Sequence, residues 1–288
     1  MARRLNGSVR PRIHTLMSIV IATYGPKVGT CNICGTHGPL TEDHTPPKGC
    51  LKPTQVEVRH ISSHFGSGPP TGKARKSQNG VKYRTLCARC NNTLLGHKYD
   101  PHFIHFVNGI GHALKSSLYL PPVIQIRAEP QAILRSLLGH LAAQGVDRYR
   151  KGPLTESIRD YILDTSLPFP DGLSAFYWAY PHKPQVMVRD AAYLNITGGH
   201  QPFVLWLLKF FPVAFMVTWG EPTGLMYEPQ NFNPWRHVAY GTGVDMPLIL
   251  RPTAHPYWPE APSNNNILLY GQEAIHAKAG TSGSGLDK

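Results

Sequence analysis

Glycine-rich phosphate loops, internal repeats and a trustworthy Ser-His-Asp order are all missing from this chain, so nothing points to a P-loop nucleotidase, a solenoid or a serine hydrolase. Long apolar runs are scarce too. The longest, 203–219, is broken by Lys209 and Pro212 and is short for the roughly 30 Å of a bilayer's hydrocarbon, so it reads as two buried strands. The segment 1–29 places Arg3, Arg4, Arg10 and Arg12 before a short apolar stretch at 16–22 and imitates a secretory signal, but that stretch is of minimal length. It reads instead as a basic arm and a short helix or strand over Ile13 to Thr23. Acidic side chains are few, and their distribution matters: residues 1–120 hold 4 Asp and Glu against 16 Lys and Arg, whereas 121–288 hold 13 of each. All the excess positive charge therefore lies in the first part, and a polyanion is the simplest partner for it. An apolar fraction of 41% excludes disorder of the whole chain.

Cysteine is also sparse, with five residues, yet four of them form two Cys-x-x-Cys pairs: Cys31/Cys34 and Cys87/Cys90. Four thiolates at this spacing can close a tetrahedral zinc site, and in a chain of this size the repeated pair argues for metal in a reducing, cytoplasmic setting rather than for two disulfides. Cys50 is the odd one and receives no role. Between the pairs stands Asp43-His44. A carboxylate suited to a hard divalent cation, beside a histidine able to take a proton near neutral pH, is what metal-assisted phosphodiester hydrolysis requires. Neighbouring side chains on a strand point to opposite faces, so this pairing needs a backbone bend or a hairpin whose two edges border one cleft.

Read together, Cys31-x-x-Cys34, Leu40-Thr41-Glu42-Asp43-His44-x-x-Pro47 and Leu86-Cys87-x-x-Cys90-Asn91-Asn92 before Leu95-Gly96 resemble the HNH endonucleases, the zinc-supported ββα-metal nucleases. The match spans about 31–99. The resemblance implies a β-hairpin carrying His44 as general base, with Asp43 and Asn91 holding a catalytic Mg²⁺ or Mn²⁺, and a helix opening after Cys90; Asn92 is the rival of Asn91. It also implies an endonuclease acting on nucleic acid, double-stranded DNA first, in the manner of restriction or phage-defence effectors. The alternative is a non-catalytic zinc-braced nucleic-acid binder on the same scaffold. The chain departs from the family at the middle Asn: Val81 to Arg84 occupy its place and Asn79 stands early. The spacer from His44 to Val81 is also long. Lys82, Arg84 and Arg89, with Lys73, Arg75 and Lys76 in the Gly- and Pro-rich spacer, are the candidate nucleic-acid contacts. His60 and His64 are four apart, but their Ser, Gly and Pro neighbours argue against the helix that a metal pair would need.

The expected class is α+β: a basic nuclease unit over 1–120, a mixed α+β domain of unassigned role over 121–279 beginning at Pro121-Pro122, and a Gly-Ser tail over 280–288. Phe103, Phe106, Val107 and Ile110 mark a helix from Pro101, and Ile133, Leu134, Leu137, Leu138 and Leu141 mark another over 129–144. A third helix is expected over 154–163. Strands are expected at 56–61, 81–86, 123–128, 174–180, 185–188, 193–196, 203–211 and 213–219. The second part could carry a ligand sensor or a homo-oligomer interface.

Overall fold

The structure, a computed structural model, describes residues 25–279 apart from 53, 66–69, 71–72, 117–118, 153–154, 196–198, 200, 224–226, 251–254 and 262–265. The arginine arm, the Ile13 to Thr23 segment and the tail lie outside the described residues. The chain is α+β, and the strand pairings are antiparallel.

In order, the strands and helices are β1 (Val28–Thr30), β2 (His37–His44), β3 (Val56–His60), β4 (Arg75–Ser77), β5 (Lys82–Cys87), a π-helix (Arg89–Tyr99), α1 (Asp100–Ser116), β6 (Val123–Ala128), α2 (Pro130–Ala143), α3 (Thr155–Leu163), β7 (Leu173–Ala179), β8 (Gln185–Asn195), β9 (Phe203–Phe210), β10 (Val213–Trp219), β11 (Gln230–Asn231), β12 (Val244–Ile249), β13 (Asn266–Leu269) and β14 (Ile275–Ala279). Short 3-10 turns cover Ile61–His64 and Asn233–Trp235. The two strands expected at 185–188 and 193–196 are one, β8, with an irregularity between Val188 and Ala191 where Asp190 takes φ 55°.

β1, β2 and β5 form a small sheet, β6 pairs with β12, and nine strands form the large sheet in the order β11-β7-β10-β9-β8-β14-β3-β4, with β13 also on β8. Two apolar layers sandwich the large sheet. In β10, Val213, Phe215 and Val217 enter the larger core, while Ala214 and Met216 enter the second; in β9, Trp206, Leu208 and Phe210 alternate with Leu205 and Leu207 in the same way. Burial on both faces is why the 203–219 run is almost wholly apolar. Among the described residues no helix is long and apolar enough to cross a membrane.

The helices cover the first face. Phe103 and Phe106 of α1 lie 5.1 and 6.4 Å from the Phe215 ring of β10. All of α2 is buried, including Gln131, Arg135, Ser136 and His140 on the side opposite its leucines. Gly139 allows a close approach of α2 to the π-helix, since a Cβ there would stand 2.3 Å from a Leu95 methyl. On the second face, Lys209 reaches a buried Glu260 at 2.7 Å and also donates to the Pro256 and Trp258 carbonyls, pinning segment 255–261 over the sheet.

The expected boundary at Pro121-Pro122 does not divide the sheet. β3 and β4, which arise inside the His44 to Val81 spacer, join it through β14, whose residues Ile275 to Ala279 pair with His60 to Val56. One continuous core runs from Cys31 to Ala277.

Candidate functional site

The cysteines converge as their spacing predicts. Cys31 and Cys34 sit in a knuckle after β1, closed by hydrogen bonds from Gly35 N to Cys31 O and from Cys31 N to Thr36 O, both 3.0 Å, with Gly35 in the left-handed region. Cys87 ends β5 and Cys90 lies in the first turn of the π-helix. All four sulfurs lie within 4.8 Å of one another, and Cys34 and Cys87 are 3.6 Å apart. A tetrahedron with Zn–S bonds of about 2.3 Å has sulfurs about 3.8 Å apart, so this four-cysteine group could hold zinc. The hydrogen bond between Cys31 and Cys90 lowers the Cys31 thiol and pushes Cys90 upward. Among the described residues this is the one such cluster of His, Cys, Asp or Glu. Asn32, inside the knuckle, donates to the Ala142 and Gly145 carbonyls at 3.1 and 2.8 Å and accepts from Arg148 N, tying the site to the end of α2.

β2 and β5 pair from Leu40–Cys87 to His44–Lys82, and the π-helix follows directly. His44 and Glu42 share a face with Lys82 and Arg84; Asp43 and Tyr83 point to the other. A bulge does occur, between Thr41 and Glu42, but it lies upstream of both Asp43 and His44 and cannot rotate one toward the other. Asn91 serves that bulge: its amide nitrogen donates to Thr41 Oγ1 at 2.9 Å and to the Glu42 carbonyl at 3.0 Å. Asn92 is exposed.

Asp43 is 3% exposed and engaged on its buried side. Its Oδ2 accepts from Thr45 Oγ1 at 3.2 Å and from His140 Nδ1 at 2.9 Å. The opposite ring nitrogen of His140 meets Asp100 Oδ1 at 3.0 Å, which also accepts from Ser136 Oγ at 2.7 Å. Burial alone would depress the imidazole, but the charges of Asp43 and Asp100 outweigh it and raise it to about 10, so His140 is a buried imidazolium. Burial pushes the Asp43 carboxyl upward against the pull of His140. The two carboxylates occupy opposite nitrogens of one ring and therefore do not converge on a common cation. The expected use of Asp43 and Asn91 as ligands of one catalytic ion does not fit this arrangement, because each is already committed to holding the hairpin against its surroundings.

His44 is placed differently. Its Nε2 is buried without a hydrogen-bond partner, while the backbone of Asn79 holds the ring through the remaining nitrogen. Burial, then Lys48 and Lys82, lower it to about 4, so the imidazole is neutral at pH 7. It lines a pocket with Lys48, Lys52, Thr54, Asn79, Gly80 and Gln185, and neither Asp43 nor Asn91 borders that pocket. Asn79, early for the family's middle Asn, takes φ 60° and Gly80 takes φ 83°, a left-handed turn that brings the Asn79 backbone to His44.

Among the other candidate contacts, Lys82 and Arg84 both pair with Glu42, at 2.7 and 3.0 Å, and Arg75 is half-buried on the Val58 side of β4. Arg89, Lys73 and Lys76 are exposed. His60 bonds Ser62 Oγ and the Gly271 carbonyl, whereas His64 stacks on His276 with ring centres 3.8 Å apart, so the two face different partners. His140 was invisible to sequence reasoning. The available signal was the unusual content of α2 opposite its leucines, with Gln131, Arg135, Ser136 and His140 but no Lys or Glu. No family model, curated protein or solved structure matches the chain.

Proposed function

We propose that the chain is a zinc-braced nuclease of the HNH, ββα-metal type that hydrolyses phosphodiester bonds of nucleic acid, with His44 as general base. The observation that carries this is the state of His44: a neutral ring held by the Asn79 backbone, its buried Nε2 without a hydrogen-bond partner, on a residue that lines a pocket with two lysines at the end of a hairpin next to the four cysteines. With water admitted to Nε2 on substrate binding, that nitrogen would take the water's proton as its oxygen attacks phosphorus, while the P–O bond to the leaving oxygen breaks and that oxygen takes a proton from solvent. Lys48 and Lys52 would offset the charge of the phosphate. Zinc among the four sulfurs would act as scaffold only. Mg²⁺ or Mn²⁺ is implied by the resemblance, but Asp43 and Asn91 do not fit as its holders, and the residues that would replace them are not evident in the pocket.

That misfit favours a second reading, a zinc-braced binder of nucleic acid without catalysis. A nicking assay separates the two, using supercoiled plasmid, single-stranded DNA and RNA with Mg²⁺, Mn²⁺ or chelator. His44→Ala should abolish cleavage while zinc content and nucleic-acid retention stay unchanged. Retention without cleavage by the native chain supports the second reading, and cleavage that survives His44→Ala refutes the proposed base.

A further inference from the structure

The long spacer that separates this chain from a compact hairpin folds into a ribbon rising from the His44 pocket. Thr54, just before β3, and Asn79-Gly80, just after β4, both line that pocket. Gly80 N donates to Thr54 O at 2.7 Å and Ser77 Oγ to Gly80 O at 2.8 Å, closing the ribbon's base. Strand register then fixes which side chains share a face. Glu57 of β3 is opposite Lys278 of β14 on one side and Lys76 of β4 on the other; Arg59, two residues along β3, lies on the same face. Lys76 and Lys278 are exposed, and Lys73 is exposed just ahead of β4. Thus a row with one carboxylate and three cationic groups leads away from the pocket, on strands that end the sheet at β4.

We infer that this β14-β3-β4 face is the track for the sugar–phosphate backbone of nucleic acid leading to the His44 pocket. The inference rests on the nucleic-acid reading above and names a contact surface that the hairpin cations do not supply, since Lys82 and Arg84 both pair with Glu42. A phosphate-lined strand complements a positive row with little demand on base identity, so binding through it is insensitive to sequence and sensitive to salt.

The test measures affinity of the full zinc-loaded chain for a labelled duplex and for its separated strand by fluorescence anisotropy across a salt series. Lys76→Gln and Lys278→Gln, both at exposed positions, should each reduce the slope of log affinity against log salt by about 0.7 to 0.9, equally for unrelated sequences. Lys115→Gln, an equal charge loss at the exposed end of α1, should leave the slope unchanged. An unchanged slope in both ribbon variants overturns the inference, as does an equal fall in the α1 variant, tighter binding to phosphatidylserine vesicles than to either oligonucleotide, or no binding by the native chain. A reduced slope with no cleavage by the native chain upholds the track and removes only the nuclease reading; cleavage lost in His44→Ala with an unchanged ribbon slope does the reverse.

Discussion

Replacing His140 by leucine should cost more stability than most single changes in this chain. The substitution keeps an apolar side chain of similar bulk between the hairpin and α1, but it leaves Asp43 and Asp100 on either side of it without a cation. Removing one partner from a buried ionic group costs about 3–5 kcal/mol. The pH dependence gives a sharper check. The imidazole titrates near 6.5 in the unfolded chain and near 10 in the folded one, so its contribution is complete below pH 6.5 and is lost as pH rises through 10. Between these limits the stability difference between native chain and variant should shrink as pH rises, by at most about 1.4 kcal/mol per pH unit, less where the stranded carboxyls of the variant take up protons. Urea unfolding followed by tryptophan fluorescence at pH 6, 7.5 and 9 would measure it. A deficit below about 1 kcal/mol at pH 6, or one that does not change with pH, would refute the assignment of a buried imidazolium.

Two further outcomes follow from the geometry. Cys87→Ser should abolish the zinc measured by elemental analysis and lower the melting temperature, and added chelator should then have no further effect, because binding energy at such a site is folding energy. Retained zinc would contradict the four-sulfur assignment. Lys209→Ala should cost about 3–5 kcal/mol by stranding Glu260, whereas Lys209→Met combined with Glu260→Leu should cost less in the same urea assay, the remaining loss coming from the Pro256 and Trp258 carbonyls. Equal losses in the two proteins would show that the pair matters for something other than charge burial.

The features legible in the sequence were those set by local pattern. Cysteine spacing anticipated the cluster of four sulfurs, the Phe103 to Ile110 stripe anticipated α1, and the break at Pro212 separated β9 from β10, while Lys209, also read as an interruption, lies inside β9. What escaped depends on register between distant segments. Nothing in Val56 to His60 announces that its partner is Ile275 to Ala279, because a short alternating strand fits many edges equally well. Asp43 and His44 illustrate the opposite error. Strand alternation alone says that they diverge; a shared cleft required a bend between them, and the bend falls at Thr41 and Glu42 instead. His140 was hidden because its role exists only once α2 is laid across the hairpin, where one of its buried polar residues becomes the link between two carboxylates.

The position of β14 sets an order of events during synthesis. It lies between β8 and β3, so until Ile275 to Ala279 have left the ribosome, β3 and β4 have no link to the rest of the large sheet. A nascent protein ending anywhere before residue 275 would therefore carry the cysteines and the histidine with the ribbon still undocked.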